Sequence, residues 1–451
     1  MPLDAATVQR HASQPVPRYT SYPTAPHFNT DVGPELYRRW LGELPDQAKL
    51  SLYLHVPFCD SLCWFCGCQT KITRQYAPIR SYLDSLMAEI ALVASLIPAK
   101  ARVHHIHWGG GSPTILTAQD SAALMNHLRD HFTLEETDFA VEVDPRGMDN
   151  DRIDALCAAG LTRVSLGVQD FDPKVQKAIN RVQSFAETKA VIDRFRANGV
   201  RSLNIDAVYG LPHQGWAELS ATLDQVLALS PDRIALFGYA HVPWMKPHQR
   251  LIPEEALAGP VERHDHAERA AELLMAAGYL RVGIDHFARP GDELALAAQE
   301  NRVQRNFQGY TVDPADALIG LGASSIGRLP QGYVQNDAAM GRYGRAVQAG
   351  RLATVKGRAL TDQDRLRGHV IERLMCDLAF DGAALTAHFG EAAAAMRQIA
   401  AQIIADDMDG FVLETPQGFT VTPAGRPFLR TLAARFDAYL QPRKGQHSLA
   451  V

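Results

Sequence analysis

The sequence predicts an α/β protein: a closed or partial (β/α)6 TIM-like barrel, followed by a smaller, mostly helical, winged-helix-like C-terminal domain. Three observations carry this. From Leu52 onward short apolar runs alternate with amphipathic stretches six times, and parallel strands need such helical crossovers. The loop after the first run holds a cluster of cysteines, and ligands of α/β folds gather at the C-terminal ends of strands. After Leu360 the pattern changes to helices around one hairpin.

Residues 1–50 read as an irregular N-terminal strap with Pro15, Pro17, Pro23 and Pro26. The segment PRYTSYPTAPHF has too many prolines for a helix and too many aromatics for a disordered tail. Arg18, Tyr19 and Tyr22 could reach a carboxylated ligand, for which arginine's planar fork is suited, or could be packed anchors. Residues 51–360 form the barrel domain with flanking elements. Its strands are SLYLHV, VHHIHW, DFAVEVD, RVSLGVQ, SLNIDAVYG and RIALFGYA. Helices between them include IRSYLDSLMAEIALVASLI, SAALMNHLRDHF and SFAETKAVIDRFRANG, the last ending in an Asn-Gly stop. Beyond position 243 come the helix PVERHDHAERAAELLMAAG, the strand-like YLRVGIDHFA, the loop ENRVQRNFQGYT and the Gly-rich LIGLGASSIG. These are expected to pack beside the barrel and close its open side. Residues 361–451 form the C-terminal domain, begun by the cap Thr361-Asp362. It contains the hairpin GFVLETPQGFTVT, and the tail KGQHSLAV is expected to be loose.

The chain's 451 residues suffice for a large core. A hydrophobic share of 46% and a charged share of 21% are ordinary for a globular protein. A net charge of −5 gives no basic field for nucleic acid. No apolar run approaches the roughly 20 residues of a membrane helix, and the N-terminus lacks the apolar core of a secretory signal. Four of the six cysteines are clustered, which is no disulfide framework. A reduced cytoplasm is the expected location.

The cluster is Cys59, Cys63, Cys66 and Cys68, spaced C-x3-C-x2-C-x-C. Three thiolates on one tight loop can grip three irons of a 4Fe–4S cube, leaving the fourth iron for an exogenous ligand. A structural zinc site is the competing reading, but zinc usually pairs two C-x2-4-C clips, and Cys157 and Cys376 stand alone. Trp64 and Phe65 suit an apolar shell around a cube.

Other chemistry-bearing residues sit at strand ends. Gly109, Gly110 and Gly111 follow the second strand and would let backbone approach a ligand closely, although such a triplet is more often a simple turn. Glu142 shares a face with Asp144. An acid inside a barrel needs a partner, which a ribose, an ammonium or a structural salt bridge would supply. Gln169, Arg181 and Asp206 occupy similar positions at or after strand ends. His105 and His107 share one face of their strand and His104 takes the other, a pattern of packing or hydrogen bonding rather than metal ligation. His55 leads into the cysteine loop, where it could tune a cluster or orient Tyr53.

RYTSYPTAPHF, YLHVPFC, CWFCGC, GGGSPT, VEVDPR, LGVQDF, INRVQ, NIDAVYGLP, YAHVP, RNFQGYT and IGLGASSIG occur in this order. Together they resemble the oxygen-independent coproporphyrinogen III oxidase family (HemN type) of the radical S-adenosylmethionine (SAM) superfamily, from about Arg18 to the C-terminal region. The resemblance implies a radical SAM barrel and a 4Fe–4S cluster on Cys59, Cys63 and Cys66, with Cys68 an extra family cysteine outside the ligand set. It implies two molecules of SAM, contacted by the glycine triplet, Glu142, Gln169, Arg181 and Asp206. Tyr53, Phe65, Ala240 and Ile326 enter the pockets by resemblance alone. Ser112 stands where the family more often has threonine.

The implied reaction is oxidative decarboxylation of two propionates of coproporphyrinogen III to vinyl groups by a 5′-deoxyadenosyl radical. It gives protoporphyrinogen IX in haem biosynthesis, with two methionines and two 5′-deoxyadenosines. An electron donor such as flavodoxin or ferredoxin and a monomeric state are further expectations. No residue is assigned as catalytic. The alternatives are a haem-binding chaperone and a haem-ring-modifying radical SAM enzyme on the same scaffold. The relatives that act as chaperones usually lack Cys68 and the RYTSYPT strap.

Overall fold

The computed structural model describes residues 3–440 and Ala450; the tail expected to be loose otherwise lies outside the described residues. Twelve strands make one mixed sheet. In chain order they are β1 (Lys49–Val56), β2 (Arg102–Gly110), β3 (Leu134–Val143), β4 (Arg163–Gln169), β5 (Ser202–Tyr209), β6 (Arg233–Gly238), β7 (Leu280–Val282), β8 (His286–Ala288), β9 (Ala317–Leu321), β10 (Ile326–Leu329), β11 (Gly332–Asn336) and β12 (Thr354–Ala359). Their spatial order is β12-β11-β10-β9-β1-β2-β3-β4-β5-β6-β8-β7. The six expected strands are β1 to β6, each parallel to the next.

Two flanking segments differ from expectation. The Gly-rich LIGLGASSIG was expected to pack beside the barrel and close its open side, but not as a strand; Ala317–Leu321 is a seventh parallel strand, paired with β1 from Leu50↔Ala317 to Leu54↔Leu321. On its other side Gly320 lets β10 approach closely: a Cβ there would lie 2.6 Å from the Ile326 carbonyl oxygen. The strand-like YLRVGIDHFA folds back on itself. Gly283 takes a φ of +56° between β7 and β8, which pair antiparallel and join β6 at the sheet edge.

Alternation along the strands separates two environments. Leu52, Leu54, Ile106, Trp108, Val141, Val143, Val164, Leu166, Leu203 and Ile205 are buried in the core under the helices. Tyr53, His107, Glu142, Ser165 and Asp206 occupy the opposite face and stay only partly buried. A polar interior of this kind is a ligand cavity, because buried polar groups without partners cost free energy. The helices expected between strands form at Ala77–Ala94, Ala118–His131 and Phe185–Ala197. The last is capped by Ser184, whose side chain accepts from the Glu187 amide, and is followed by Gly199 at φ +83°.

The C-terminal region is helices against a three-stranded sheet of Ala379–Asp381, Val412–Thr415 and Gly418–Val421. Thr361 and Asp364 form the capping box that starts its first helix, Asp362–Asp377. The N-terminal strap is less irregular than its prolines suggest. It contains helices Ala5–Ala12 and Pro34–Gly42; Pro34 sits in the first turn, where no backbone donor is needed. Val8, Ala12, Tyr19 and Tyr22 are buried in one apolar cluster with Leu366, Leu374, Phe419 and Phe436. Among the described residues no helix is long and apolar enough to cross a membrane.

Candidate active site

The cysteine loop leaves β1 at Val56 and is held mostly through its own backbone. The Trp64 amide donates to the Ile179 carbonyl (2.9 Å), and Asn180 donates from its side chain to the Leu62 carbonyl (2.8 Å). From the other side Gln249 Nε2 donates to the Phe65 carbonyl (2.9 Å), His248 Nε2 to that of Cys66 (2.8 Å) and Lys246 Nζ to that of Cys68 (2.9 Å). Trp64 and Phe65 pack against an apolar cluster that includes Val175, Ile179, Leu211 and Tyr239. Cys63 is buried, Cys59 and Cys66 are half-buried, and Cys68 is exposed to the cavity described below. Burial, and next the neighbouring Cys66 and Cys63 sulfurs, push the Cys59 thiol up to about 12. The Cys68 amide donates to Cys66 Sγ (3.4 Å), and hydrogen bonding between the two cysteines lowers the Cys66 thiol and raises that of Cys68.

The glycine triplet is more than a turn, for each member meets something different. A Cβ on Gly109 would lie 2.6 Å from Glu142 Oε1, and one on Gly110 2.5 Å from the His55 ring. A Cβ on Gly111 would lie 2.5 Å from the Phe58 carbonyl oxygen. Gly110 also takes φ +113°. Glu142 accepts from the Gly110 amide (3.0 Å) and pairs with His107 Nε2 (3.1 Å). Burial pushes its carboxyl up, but His107 and the Gly110 amide outweigh it and hold it below the usual carboxylate range. With 39% of the side chain accessible, the carboxylate opens into the barrel interior.

His55 donates from Nε2 to the Gln69 carbonyl (3.1 Å), and burial lowers its pKa. The neutral ring therefore accepts at Nδ1 from the Tyr53 hydroxyl (3.1 Å), so that His55 orients Tyr53. His107 has its acid across the strand and not along the sequence, and His105 lies 3.5 Å from Asp313; both fit hydrogen bonding. His104 is the extra residue of a bulge between Val103 and His105.

Asp144 binds two guanidinium groups, Arg146 at 2.6 Å and Arg181 at 3.1 Å. Arg146 Nη2 and Arg181 Nη1 both also point at Cys63 Sγ, at 3.4 and 3.5 Å. Arg181 Nη2 further donates to the Gly167 carbonyl. Gln169, at φ +70°, turns its amide back over Gly167, where a Cβ would lie 2.9 Å from Nε2. Asp206 accepts from Asn204 Nδ2 (2.7 Å) and the Ser165 hydroxyl (3.2 Å). Burial, reinforced by Glu142, pushes its carboxyl up to about 6. Two interior acids are thus set apart, one ionised and one poised near neutrality.

A cavity of about 480 Å³ adjoins the cysteine loop at Cys68 and Ala240. Arg18, Arg263, Arg281, Arg305 and Arg430 line it, against Glu268 and Asp285. Arg281 is committed to Glu268 by two bonds of 3.0 and 3.3 Å. Burial lowers the pKa of Arg18, Arg263 and Arg430, the last to about 10. Arg263 Nε and Arg305 Nε and Nη1 are buried with no partner among the described residues. Such guanidinium groups are short of anions. The strap divides its labour: Arg18 lines the cavity and donates to the Gly238 carbonyl (3.1 Å), while Tyr19 and Tyr22 are packed anchors. Tyr19 donates to Asp437, and Tyr22 accepts from the Ala438 amide.

Of the remaining expected residues, Ala240 lies against the loop through Gln249, whose Nε2 also donates to its carbonyl (3.2 Å). Ile326 starts β10, opposite Gly320 and two strands from Tyr53, with no part in the polar network. Sequence reasoning missed Gln249, Lys246, His248, Arg146 and Gly167. The signal available for Arg146 was its place two residues after Asp144; Gln249, Lys246 and His248 grip backbone carbonyls, and Gly167 offers its own carbonyl to Arg181, contacts that no motif records.

The donor set fits a cube. Cys59, Cys63 and Cys66 stand on one loop, with Cys63 buried and the other two half-buried. A cube takes each of three such thiolates at a separate iron. The sequence comparisons agree. The Radical SAM superfamily model matches residues 53–226. An oxygen-independent coproporphyrinogen III oxidase of Bradyrhizobium diazoefficiens is 48% identical over 442 residues, covering 98% of both chains. One from Escherichia coli K12 is 38% identical over 445 residues, covering 98% of this chain and 96% of its own. The solved structure of coproporphyrinogen III oxidase (HemN) from Escherichia coli, a radical SAM enzyme, superposes with a TM-score of 0.90 at 36% identity. It covers 98% of this chain and 100% of that one. The chain belongs to the oxygen-independent coproporphyrinogen III oxidase family of radical SAM enzymes.

Proposed function

We propose that the chain converts two propionate side chains of coproporphyrinogen III to vinyl groups, giving protoporphyrinogen IX. The observation that carries this is the arginine-lined cavity opening directly onto the cysteine loop at Cys68. A tetracarboxylate fits a pocket in which Arg263 Nε and Arg305 Nε and Nη1 are buried without a partner among the described residues. Cys59, Cys63 and Cys66 would hold three corners of a 4Fe–4S cluster, and Glu142, Gln169, Asp206 and the glycine triplet would hold SAM. When bound and reduced by a one-electron donor of flavodoxin or ferredoxin type, this pair supplies a 5′-deoxyadenosyl radical that takes a hydrogen atom.

The chain's own residues then do four things. Glu142, ionised and open to the interior, offers an ammonium its counter-charge. Arg146 and Arg181 donate to the Cys63 sulfur and are fixed by Asp144. Trp64 and Phe65 keep water from the inner side of the loop. Arg18, Arg263 and Arg305 hold carboxylates so that one propionate lies toward Cys68. Each turnover at one propionate removes a hydrogen atom, carbon dioxide and one electron, the electron leaving to an external acceptor.

The test is anaerobic cluster reconstitution followed by incubation with SAM, reductant and coproporphyrinogen III. Mono- and divinyl products are expected, with one 5′-deoxyadenosine for each vinyl group formed. 5′-Deoxyadenosine without vinyl product would favour the ring-modifying alternative, and tight porphyrin binding without SAM cleavage would favour the chaperone.

A further inference from the structure

We propose that Asp285 reads the centre of the tetrapyrrole, accepting pyrrole N–H groups while the arginines take the carboxylates at its rim. This rests on the function proposed above. A carboxylate in a pocket built for a polyanion has the wrong charge, and so needs a reason to be there. Glu268, the other acid lining the cavity, is occupied by Arg281. Asp285 is not so occupied. Its Oδ1 accepts from His286 Nδ1 at 2.7 Å, and its Oδ2 has no hydrogen-bond partner among the described residues. Among those residues no arginine lies within ion-pair distance of it, although Arg18 and Arg305 lie close enough for their charge to act on it. A dedicated counter-ion would be in contact.

The carboxylate is also fixed in place. The Asp285 carbonyl accepts from the Leu236 amide (2.8 Å), and the Ile284 amide donates to the Tyr310 hydroxyl (3.2 Å). His286 holds one oxygen and leaves the other facing the cavity, where 20% of the side chain is accessible.

The ligand supplies the complement. A porphyrinogen carries four pyrrole N–H donors at its centre and carboxylates only at its edge. Its saturated bridges let the rings tilt, so that several N–H groups can converge on one acceptor. The oxidised porphyrin is flat, has two N–H groups and presents two imine nitrogens that repel a carboxylate. Asp285 is therefore a specificity residue, selecting the reduced macrocycle over the oxidised one.

The test compares anaerobic binding of coproporphyrinogen III and coproporphyrin III to the cluster-loaded enzyme, wild type and Asp285→Asn. Wild type should prefer the porphyrinogen by about tenfold or more, the size of a charge-assisted hydrogen bond. Asp285→Asn should lose most of that preference, through weaker porphyrinogen binding and unchanged or tighter porphyrin binding. A mere counter-ion predicts the opposite sign: its neutralisation makes the pocket more positive and tightens both ligands. Equal or tighter porphyrinogen binding by the variant therefore overturns the proposal. Should the variant not fold, equal wild-type affinities for the two macrocycles overturn it alone. Wild type that binds neither ligand would defeat the functional reading instead, a result distinct from a variant that discriminates as well as wild type.

Discussion

Replacing Gly111 by alanine tests whether the glycine loop sets the position of the cysteines. The new Cβ would lie 2.5 Å from the Phe58 oxygen, 2.8 Å from its nitrogen and 2.9 Å from its carbonyl carbon. All three are backbone atoms, so no flexible side chain can swing aside. Phe58 is fully buried and cannot tilt outward. Its carbonyl must retreat by at least about half an ångström to reach even 3.0 Å, stretching the 2.7 Å bond it accepts from the Ser112 amide. Overpacking of this kind costs about 1–3 kcal/mol. Cys59 is the next residue, so the displacement passes to a sulfur, and a misplacement approaching 1 Å can cost roughly 100-fold in rate. The assay is iron and sulfide content after anaerobic reconstitution, beside thermal melting and 5′-deoxyadenosine formation. Gly291→Ala is the control, because its Cβ meets nothing within 4 Å. Gly111→Ala should melt lower, retain less iron and form 5′-deoxyadenosine at least about tenfold more slowly, with the control unchanged. A Gly111→Ala protein with full iron and an unaltered melt would refute the argument.

Other outcomes follow from the same geometry. Gln249→Ala strands the half-buried Phe65 and Ala240 carbonyls and the Val242 amide; urea unfolding should show a loss of about 1–3 kcal/mol, and the reconstituted cluster should bleach faster in air. Arg305→Gln should raise KM for coproporphyrinogen III about tenfold or more while 5′-deoxyadenosine release persists, measured by separate product assays. Cys63→Ala should fail to hold the cube by iron and sulfide analysis, whereas Cys68→Ala should keep it. Asp206 is raised to about 6 by burial, so the folded state binds its proton more tightly than the unfolded chain. Its contribution to stability is full below about pH 4 and is lost as pH rises through about 6. Asp206→Asn should therefore be more stable than wild type above pH 7, by about 1–3 kcal/mol; an unchanged pH profile of urea midpoints would show that Asp206 is not buried as described.

Much of this was legible in the chain because the relevant signals are local. Alternation in VEVDPR places Glu142 inside and its valines outside whatever the rest of the fold does. The C-x3-C-x2-C spacing lies on one loop, and Ser184 and Thr361 announce their helices within four residues. What the sequence hid is non-local. LIGLGASSIG shows no strand alternation because six of its ten residues are Gly, Ala or Ser, and pairing with β1 makes its first part a strand. YLRVGIDHFA has strand composition throughout, and the left-handed Gly283 alone breaks it. Gln249, fully buried yet polar, gives no pattern at all, since its partners are backbone groups and the one on the cysteine loop, the Phe65 carbonyl, lies 184 residues away in the chain. Tyr19 and Tyr22 were ambiguous for the same reason, as their partners lie at positions 437 and 438.

The strap packs as one body with residues far along the chain, between 366 and 436. Val8 and Ala12 are buried among side chains of Leu374, Phe428 and Phe436, and Arg305 donates to the Arg18 carbonyl behind the cavity wall. During synthesis the segment around Val8 therefore has no seat until residues 366–436 have been made, on the order of half a minute later. Trimming or bulky tagging at the beginning of the chain should injure the end of it, and a C-terminal truncation should leave an N-terminal segment with its apolar face exposed and open to proteolysis.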